Sequence, residues 1–315
     1  MTKLIIQIPC YNEEKSLPQT LGDISRQIEG VDEVEILIID DGSTDRTIEV
    51  AKAQGVDYII SHTKNMGLAK AFMTGINACI EHGADIIVNT DADNQYCADD
   101  IPKLIEPILS GKAEIVVGSR PINEIRHFSA LKKLLQRVGS WAVRLASGTD
   151  IPDAPSGFRA MSRKAAMQLN VFNNYTYTLE TIIQAGQKGM AITSVPVRVN
   201  EDLRQSRLVK SILSYLKRSI ITIVRIFVVY KPFRFFASLG AVLFLLGVVI
   251  GIRFLYFYFA GYGSGHVQSL ILASILIGIG FQTIMVGFVA DLLSVNRRLL
   301  EDLQQKSRAS ETDQD

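Results

Sequence analysis

An α/β domain built on a mainly parallel sheet with helices on both faces, followed by a two-helix membrane hairpin, is the fold that the sequence predicts. Three observations predict it. Short β-branched runs at residues 4–8, 35–39, 58–60, 86–89 and 115–117 alternate with longer helical patterns, the signature of parallel strands joined by crossover helices. These runs are almost continuously apolar, as strands buried on both faces are. Near the end, residues 235–252 and 254–290 contain no Asp, Glu, Lys or Arg.

Each strand runs into a polar cluster. Residues 9–14 follow the first strand, 40–45 the second, 65–67 the third, 91–95 the fourth and 118–120 the fifth. In an open α/β sheet, ligands bind beyond the carboxyl ends of the strands, so these clusters are the candidate site. Residues 129–147 then read as an amphipathic helix and 148–157 as a loop rich in Asp, Pro and Gly leading into Phe158-Arg159. A helix near 178–188 and a strand near 192–199 complete a first domain, residues 1–203.

The 315 residues hold 33 Lys and Arg against 32 Asp and Glu, a net charge of +1. That near-neutral total hides a division. Residues 1–203 carry 20 basic and 26 acidic side chains, whereas 204–234 carry eight basic residues and no acid. A membrane span needs about 20 mostly apolar residues, at about 1.5 Å each across a layer about 30 Å thick. Spans are therefore expected at 235–257 and 270–292, joined by the glycine-rich segment 260–266. Lys217, Arg218, Arg225, Lys231 and Arg234 precede this hairpin and Arg297 and Arg298 follow it, while its loop has no Lys or Arg. The positive-inside rule then places both ends in the cytoplasm. Residues 204–234 interleave apolar and basic side chains and are expected as one or two amphipathic helices on the membrane surface, attracted to anionic headgroups by about 1 kcal/mol per basic residue; an ordinary solvated basic face is the alternative. Residues 293–315 form a polar tail, of which 306–315 are expected to lack regular structure. The apolar stretch 4–9 is too short for a secretory signal. Cys10, Cys79 and Cys97 form no CxxC pair and read as structural thiols of a reducing compartment.

Asp91-Ala92-Asp93 directly follows a buried strand. Two carboxylates one residue apart at a sheet edge can hold a hard cation, Mg2+ or Mn2+, which keeps positions open for substrate phosphates. The competing reading is that one Asp caps the helix starting near Asp99 or Asp100. Residues 40–45, Asp-Asp-Gly-Ser-Thr-Asp, contain three acids that ask for donors, and a nucleoside offers base N–H and ribose hydroxyl groups; a turn in which Ser43 or Thr44 caps the next helix is the alternative. In residues 9–14, Tyr11 can stack on a base. Neither GxGxxG nor GxxxxGK[ST] occurs, so phosphates are not held in the dinucleotide or P-loop manner and fall to a metal and Arg120.

In order and spacing, PCYNEE, DDGSTD, DADNQY, GSR and SGFR resemble the inverting family-two glycosyltransferases of GT-A fold. Among these the chain looks most like the polyprenyl-phosphate glycosyltransferases, the relatives of dolichyl-phosphate mannose synthase. The resemblance covers about residues 3–210, and the two-span tail is similar to that of bactoprenol glucosyltransferases. It implies that Pro9, Tyr11, Glu13 and Asp40 line a nucleoside pocket, with Asn12, Asp41, Asn65 and Gly67 in the same strand-end loops as further nucleotide-sugar candidates. It also implies that Asp91, Asp93 and Gln95 meet the metal and diphosphate, and that Arg120 lies near the phosphates. Asp153, ahead of Ser156-Gly157-Phe158-Arg159, stands where the family places an acid close to the reacting centre; a turn acid beside Pro152 and Pro155 is the plainer reading. The family's basic loop resembling R…GESK corresponds to residues 201–207, where Ser206 and Arg207 match and Arg204 stands in for the displaced arginine. Lys132 and Lys133 are further candidates for the acceptor phosphate, with a solvated helix face as the equal alternative.

The resemblance implies transfer of a hexose, expected to be glucose from UDP-glucose with GDP-mannose as the alternative donor, to undecaprenyl phosphate at the cytoplasmic membrane face. An acceptor phosphate is anionic at pH 7, so single displacement with inversion needs no strong general base. The expected partners are the nucleotide sugar, the lipid phosphate, the membrane and further copies of the chain, and no nucleic acid. Gly240, Gly247, Gly251, Gly278, Gly280 and Gly287 would permit close packing against partner helices. A processive polysaccharide synthase would resemble its class in a QxxRW motif, which is absent; a non-catalytic membrane adaptor is disfavoured by both DxD acids being present. His62, His82, His127 and His266 share no metal-ligand spacing and receive no role, and Trp141 is expected in core or interface packing.

Overall fold

The computed structural model describes residues 1–121, 130–171, 177–200, 212–262 and 266–312. The chain divides into two compact units, one of Met1–Ser219 with Gln305–Asp315 and one of Ile220–Gln304.

In the first unit, the described residues form a sheet of seven strands: β1 (Lys3–Cys10), β2 (Glu33–Asp40), β3 (Tyr58–Ser61), β4 (Ile86–Asn89), β5 (Ile115–Ser119), β6 (Arg159–Ser162) and β7 (Ile192–Pro196). Their order is β3-β2-β1-β4-β6-β5-β7. Neighbours are parallel except at β6, which is antiparallel to both β4 and β5. Successive side chains of a strand point to opposite faces, and here both faces are buried. Leu4, Ile6 and Ile8 join Ile36, Ile38 and Val88 in one core, while Ile5, Leu37, Ile39 and Ile87 join Phe72 and Met161 in the other. That two-sided burial is why the strands read as continuous apolar runs.

Helices α1 (Leu17–Gly22), α2 (Thr47–Ala53), α3 (Leu68–Glu81), α4 (Ile101–Leu109), α5 (Ala130–Ser147), α6 (Arg163–Gln168) and α7 (Thr178–Gln187) complete this unit up to α8 (Ile212–Tyr230). Two elements, β6 and α6, escape the sequence reading. β6 has four residues and starts with Arg159, whose charge argues against a central strand although its side chain is fully buried. Because β6 runs against its neighbours, the loop entering it reaches the edge at which β1, β2, β4 and β5 end. The last strand is shorter than expected, stopping at Pro196, and beyond it Val199 bridges Tyr96.

The second unit contains α9 (Pro232–Phe259) and most of α10 (Val267–Thr312). Each has an apolar segment of spanning length, Pro232–Phe259 with 28 residues and Val267–Asn296 with 30. Neither behaves as the core helix of a soluble protein. Leu245, Val249, Ile252, Phe281 and Val289 are all more than half exposed, surface that a bilayer would cover. A Cβ on Gly240 would stand 2.6 Å from the Gly280 carbonyl oxygen, and one on Gly247 would stand 2.9 Å from that of Ala273. Gly240 and Gly247 therefore close the α9–α10 seam inside one chain, whereas Gly278, with nothing within 4 Å of a Cβ built on it, stays open to the partner-helix contact that the sequence suggested. A second correction concerns the tail, because α10 continues through the polar residues to Thr312.

One buried acid ties the end of β7 to the rest of the sheet. Asp100 accepts from the Arg198 backbone N at 2.6 Å, from its Nε and Nη2 at 3.1 and 2.9 Å, and pairs with Lys103 Nζ at 2.8 Å. Burial alone would raise the Asp100 carboxyl, but the Arg198 and Lys103 donors outweigh it and hold the group below its usual range. A depressed carboxylate stabilises the fold above its unfolded pKa and loses that contribution as pH falls through the folded one. Asp100→Asn is thus expected to unfold at lower temperature than the wild type at pH 7. The gap should narrow as the pH drops below about 4, as followed by thermal melts of the full chain in detergent; a gap independent of pH would assign the effect to packing.

Candidate active site

Where β4 ends, Asp91 turns toward the sheet edge with its carboxylate held by no hydrogen-bond donor among the described residues. Burial pushes its carboxyl up to about 7; the Asp93 charge adds to the rise, and Arg120 and Arg159 oppose it. A half-buried carboxylate at a strand end that no protein donor engages is one a cation can take up. Asp93 accepts from the Gln95 backbone N at 3.2 Å, which closes the turn and leaves the rest of its carboxylate for other partners. Asn94, in the left-handed region at φ 56°, donates to Asp23 at 2.9 Å, and Asn200 donates to the Asn94 carbonyl at 3.0 Å. The turn that carries both acids is therefore pinned from behind. Oxygen donors from two acids suit Mg2+ or Mn2+, and the described residues contain no cluster of three or more His, Cys, Asp or Glu that could hold a metal by themselves. The donor set fits an ion whose remaining positions belong to substrate. The alternative in which one of the DxD acids caps a helix fails, because α4 is preceded by Asp100 and makes no side-chain cap.

Gly157 fits against Asp91 more closely than any other residue could. A Cβ there would stand 2.9 and 3.0 Å from the two Asp91 carboxylate oxygens. Its backbone is held on both sides: its N–H donates to Tyr96 Oη at 3.0 Å, and its carbonyl accepts from Asn89 Nδ2 at 2.9 Å. Asn89 Nδ2 also donates to Tyr177 Oη at 2.9 Å, and Asn89 Oδ1 accepts from Gln7 at 2.9 Å. Gln7, Asn89, Tyr96 and Tyr177 are positioning residues that went unassigned from sequence. Gln7 and Asn89 left a signal, being polar residues in the otherwise apolar runs 4–10 and 86–89.

Arg120, at the end of β5, is fixed by Asp153. Its Nε and Nη2 donate to the two Asp153 oxygens at 2.7 and 3.0 Å, and its backbone N donates at 3.2 Å. The side chains are 8% and 1% exposed. The guanidinium lies 6.0 Å from the Tyr96 ring centroid. Burial works against its charge, but Tyr96, Asp153 and Asp91 outweigh that and hold it above its ordinary range. Arg159 is the unforeseen member. Fully buried, it donates to the carbonyls of Thr178, at 3.1 Å, and Ser156 and to the Thr181 hydroxyl, and lies 5.3 Å from the Tyr177 ring centroid. Burial lowers its pKa although Tyr177, Tyr96, Asp91 and Asp153 act in the other direction.

The second cluster differs from its expected use. Asp41 accepts from Met66 N and Gly67 N at 2.8 Å each and from His62 Nδ1 at 2.8 Å, so it ties β2 to the loop before α3. His62, given no role from sequence, also meets Thr74 at 3.0 Å. Asp45 accepts from Glu14 N and Thr47 N; burial would raise it, but these donors with the Thr47 hydroxyl hold it below its usual range. Ser43 and Thr44 do not cap α2. Ser43 Oγ accepts from Asn12 N at 2.9 Å and Thr44 N donates to Asn12 Oδ1 at 2.8 Å. Backbone donors from other loops thus satisfy Asp41 and Asp45, and the repulsion that seemed to require a nucleoside is relieved internally. Asp40 is buried and accepts from Ser43 N at 3.2 and 3.3 Å. Gly42, at φ 74°, brings this turn so close that a Cβ would stand 2.6 Å from the Lys64 carbonyl carbon.

Of the remaining candidates, Pro9 is buried in β1, Glu13 accepts from Ser16 Oγ at 2.6 Å and is felt electrostatically by Asp91, and Tyr11 is 42% exposed. Asn65 is exposed and Gly67 half-buried in the loop anchored by Asp41. Arg204, Ser206 and Arg207 lie outside the described residues, as do the side chains of Lys132 and Lys133 in the first turn of α5. Trp141 is 53% exposed, which excludes the core and leaves the interface half of its expected core-or-interface packing.

Comparison with known proteins agrees with this geometry. The family described as Glycosyl transferase family 2 matches residues 5–169. A UDP-N-acetylglucosamine–dolichyl-phosphate N-acetylglucosaminyltransferase from Methanococcus voltae is 33% identical over 61% of this chain and 83% of its own length. An undecaprenyl-phosphate mannosyltransferase from Micrococcus luteus is 28% identical over 65% of this chain and 87% of its own. Among solved structures, a glucosyl-3-phosphoglycerate synthase from Mycobacterium tuberculosis, in complex with Mn2+, UDP and glucosyl-3-phosphoglycerate, superposes with a TM-score of 0.57 at 21% identity, covering 72% of this chain and 79% of that one. That likeness carries the GT-A type of fold that the motifs implied.

If Asp153 works through Arg120, their substitutions should not add. Arg120→Gln is expected to abolish most turnover, and Asp153→Asn to cost less but share that loss, with a coupling of about 1–3 kcal/mol in a double-mutant cycle on kcat/KM. Independent, multiplicative losses would show that the two side chains act separately.

Proposed function

Since the chain belongs to glycosyl transferase family 2, we propose that this glycosyltransferase moves a hexose from a nucleotide sugar to a polyprenyl phosphate. One observation carries the reading: a carboxylate edge left uncompensated for a cation lies in a chain that also has two exposed apolar helices long enough to cross a membrane. The polyprenyl-phosphate relatives from Methanococcus voltae and Micrococcus luteus support the acceptor. Glucose from UDP-glucose is the donor we favour, in keeping with the UDP held by the structural neighbour; mannose from GDP-mannose is the second reading, favoured by the mannosyltransferase relative.

Asp91 and Asp93, with Gln95 beside them, would hold Mg2+ or Mn2+, which when bound neutralises charge on the departing diphosphate. Arg120, held by Asp153 and facing Asp91, adds a fixed positive charge at the same edge. An acceptor phosphate oxygen forms the new bond to the anomeric carbon as the bond from that carbon to the diphosphate breaks, so the configuration inverts. No proton has to leave the nucleophile, because a phosphate monoester is already anionic at pH 7. Asp153, with both oxygens on Arg120, is a positioning residue in this scheme. Arg204, Ser206, Arg207, Lys132 and Lys133 are proposed to receive the acceptor phosphate. The two spans are proposed to lie in the cytoplasmic membrane with the catalytic unit and both chain ends on the cytoplasmic side.

Purified protein incubated with undecaprenyl phosphate and a panel of nucleotide sugars should yield one hexosyl lipid by mass spectrometry, only with Mg2+ or Mn2+ present. Asp93→Ala is expected to lose at least about a thousandfold in kcat, the scale of several kcal/mol of charge stabilisation, while its melting temperature stays near that of the wild type. A variant with full turnover would overturn the metal assignment, and a product formed from GDP-mannose alone would decide for the second donor. Separately, the full chain should resist alkaline carbonate extraction from membranes, and a C-terminal tag should be digested only after inside-out vesicles are exposed to protease. Digestion in right-side-out vesicles would reverse the orientation.

A further inference from the structure

The turn that carries Asp91 and Asp93 is fastened through its carbonyls. Thr20 Oγ1, on α1, donates to the Ala92 carbonyl at 3.1 Å. The carbonyls of Asn94, Gln95 and Tyr96 all accept from Asn200. Its backbone N donates to Gln95 at 2.9 Å, and its Nδ2 donates to Asn94 and Tyr96 at 3.0 and 3.3 Å. A side-chain amide has two N–H groups, and the turn takes both. Asn94 lies at φ 56°, in a left-handed conformation that a residue other than glycine keeps only where its surroundings hold it. A peptide flip there would re-aim Asp93 before it and Gln95 after it.

Anchoring of the segment after β7 does not account for the Asn200 side chain. That segment is secured two residues earlier, where Arg198 donates to Asp100 from its backbone and its guanidinium and its carbonyl accepts from Cys97 N at 3.4 Å. The bond from Asn200 N to Gln95 continues this pairing whatever side chain follows. The two side-chain bonds, by contrast, both end on the turn of the acids. The residue type also suits the place. Lysine or arginine could donate to the same carbonyls, but would set a positive charge beside carboxylates that are to take up a cation, and like charges repel the more strongly the closer they stand. Serine and threonine have one donor. Asparagine brings two donors and no charge.

We propose that Asn200 is a positioning residue for the cation. By holding the carbonyls of residues 94–96 it fixes how the Asp91 and Asp93 carboxylates stand to one another, and so sets the affinity of this edge for a divalent ion. The proposal rests on Asp91 and Asp93 as ligands, as the function proposed above does, and not on the identity of the sugar or the acceptor. Residues that orient the ligands of a metal without touching it contribute about 10–100-fold to its affinity.

Asn200→Leu keeps nearly the native shape without a donor, and Asn200→Ala removes the amide altogether; both retain the backbone bond to Gln95. The full-length protein in detergent is titrated with Mn2+ in the presence of UDP, and free Mn2+ is read from its paramagnetic resonance signal, corrected for the ion held by UDP alone. Both variants are expected to raise the Mn2+ dissociation constant about tenfold or more. The Mn2+ concentration for half-maximal turnover should rise by the same factor, excess Mn2+ should restore most of kcat, and the metal-free melting temperature of Asn200→Leu should stay near that of the wild type. A residue that only supports the fold would lower kcat at every Mn2+ concentration and leave the ion's affinity in the folded fraction alone. Either result, an unchanged Mn2+ affinity or a loss of turnover that excess Mn2+ does not restore, would overturn the proposal. Asp93→Ala, titrated alongside, separates the two readings. If it loses Mn2+ while the Asn200 variants bind as the wild type does, the role of Asn200 alone is wrong; if it too binds as the wild type does, the metal assignment falls and takes this proposal with it.

Discussion

The arrangement of the site depends on one half-buried carboxylate that the protein leaves without a donor among the described residues. Asp91 sits at the end of a central strand with Asp93 beside it and without a hydrogen-bond donor among the described residues. Two arginines, Arg120 and Arg159, lie near enough to lower its cost, but Asp153 takes both oxygens' worth of the first. Among these five side chains the acids outnumber the bases by one. A divalent cation would turn that balance positive, and a positive edge is what a diphosphate seeks. Neutralising Asp91 with a protein donor would have made a more stable fold and a poorer metal site.

Around that charge the second rank of residues is concerned with placement. Gly157 must lie against the Asp91 oxygens, and it is held there by Tyr96 on one side and by Asn89, itself set by Gln7 and Tyr177, on the other. The antiparallel β6 makes this possible. Only a strand entering the sheet in the reverse sense brings its preceding loop, with Asp153 and Gly157, to the edge where the parallel strands end.

How much of this could be read in the sequence follows from how far each interaction reaches along the chain. Asp91, Asp93 and Gln95 are one turn, and a turn after an apolar run is a local signal. Arg120 stood out at a strand end in the same way. Asp41 was read as a ligand for a nucleoside because its backbone donors, Met66 and Gly67, come from residues that composition cannot bring near. The mainly parallel sheet was legible because burial on both faces leaves continuous apolar runs. β6 was not, since a short strand opening on a buried arginine matches neither strand pattern. The two apolar helices were legible from composition, but which surface their glycines face is a matter of geometry: Gly240, Gly247 and Gly280 serve the seam between α9 and α10, while Gly278 faces open space.

The state of Asp153 bears on the chemistry as a whole. An acid close to a reacting centre invites assignment as a general base, and a base must have a free oxygen and a pKa near the working pH. Asp153 is fully buried, bidentate on a guanidinium and bonded again to the Arg120 backbone. To accept a proton it would have to release an ion pair whose disruption in a buried setting costs about 3–5 kcal/mol. A hydroxyl acceptor would need a base and would meet none in this position. A phosphate acceptor arrives already charged, and what it requires from the protein is a fixed cation for the leaving group and the exclusion of water. The locked Arg120–Asp153 pair supplies the first of these, which is why an Asp153 that is not free to act as a base is consistent with transfer to a lipid phosphate.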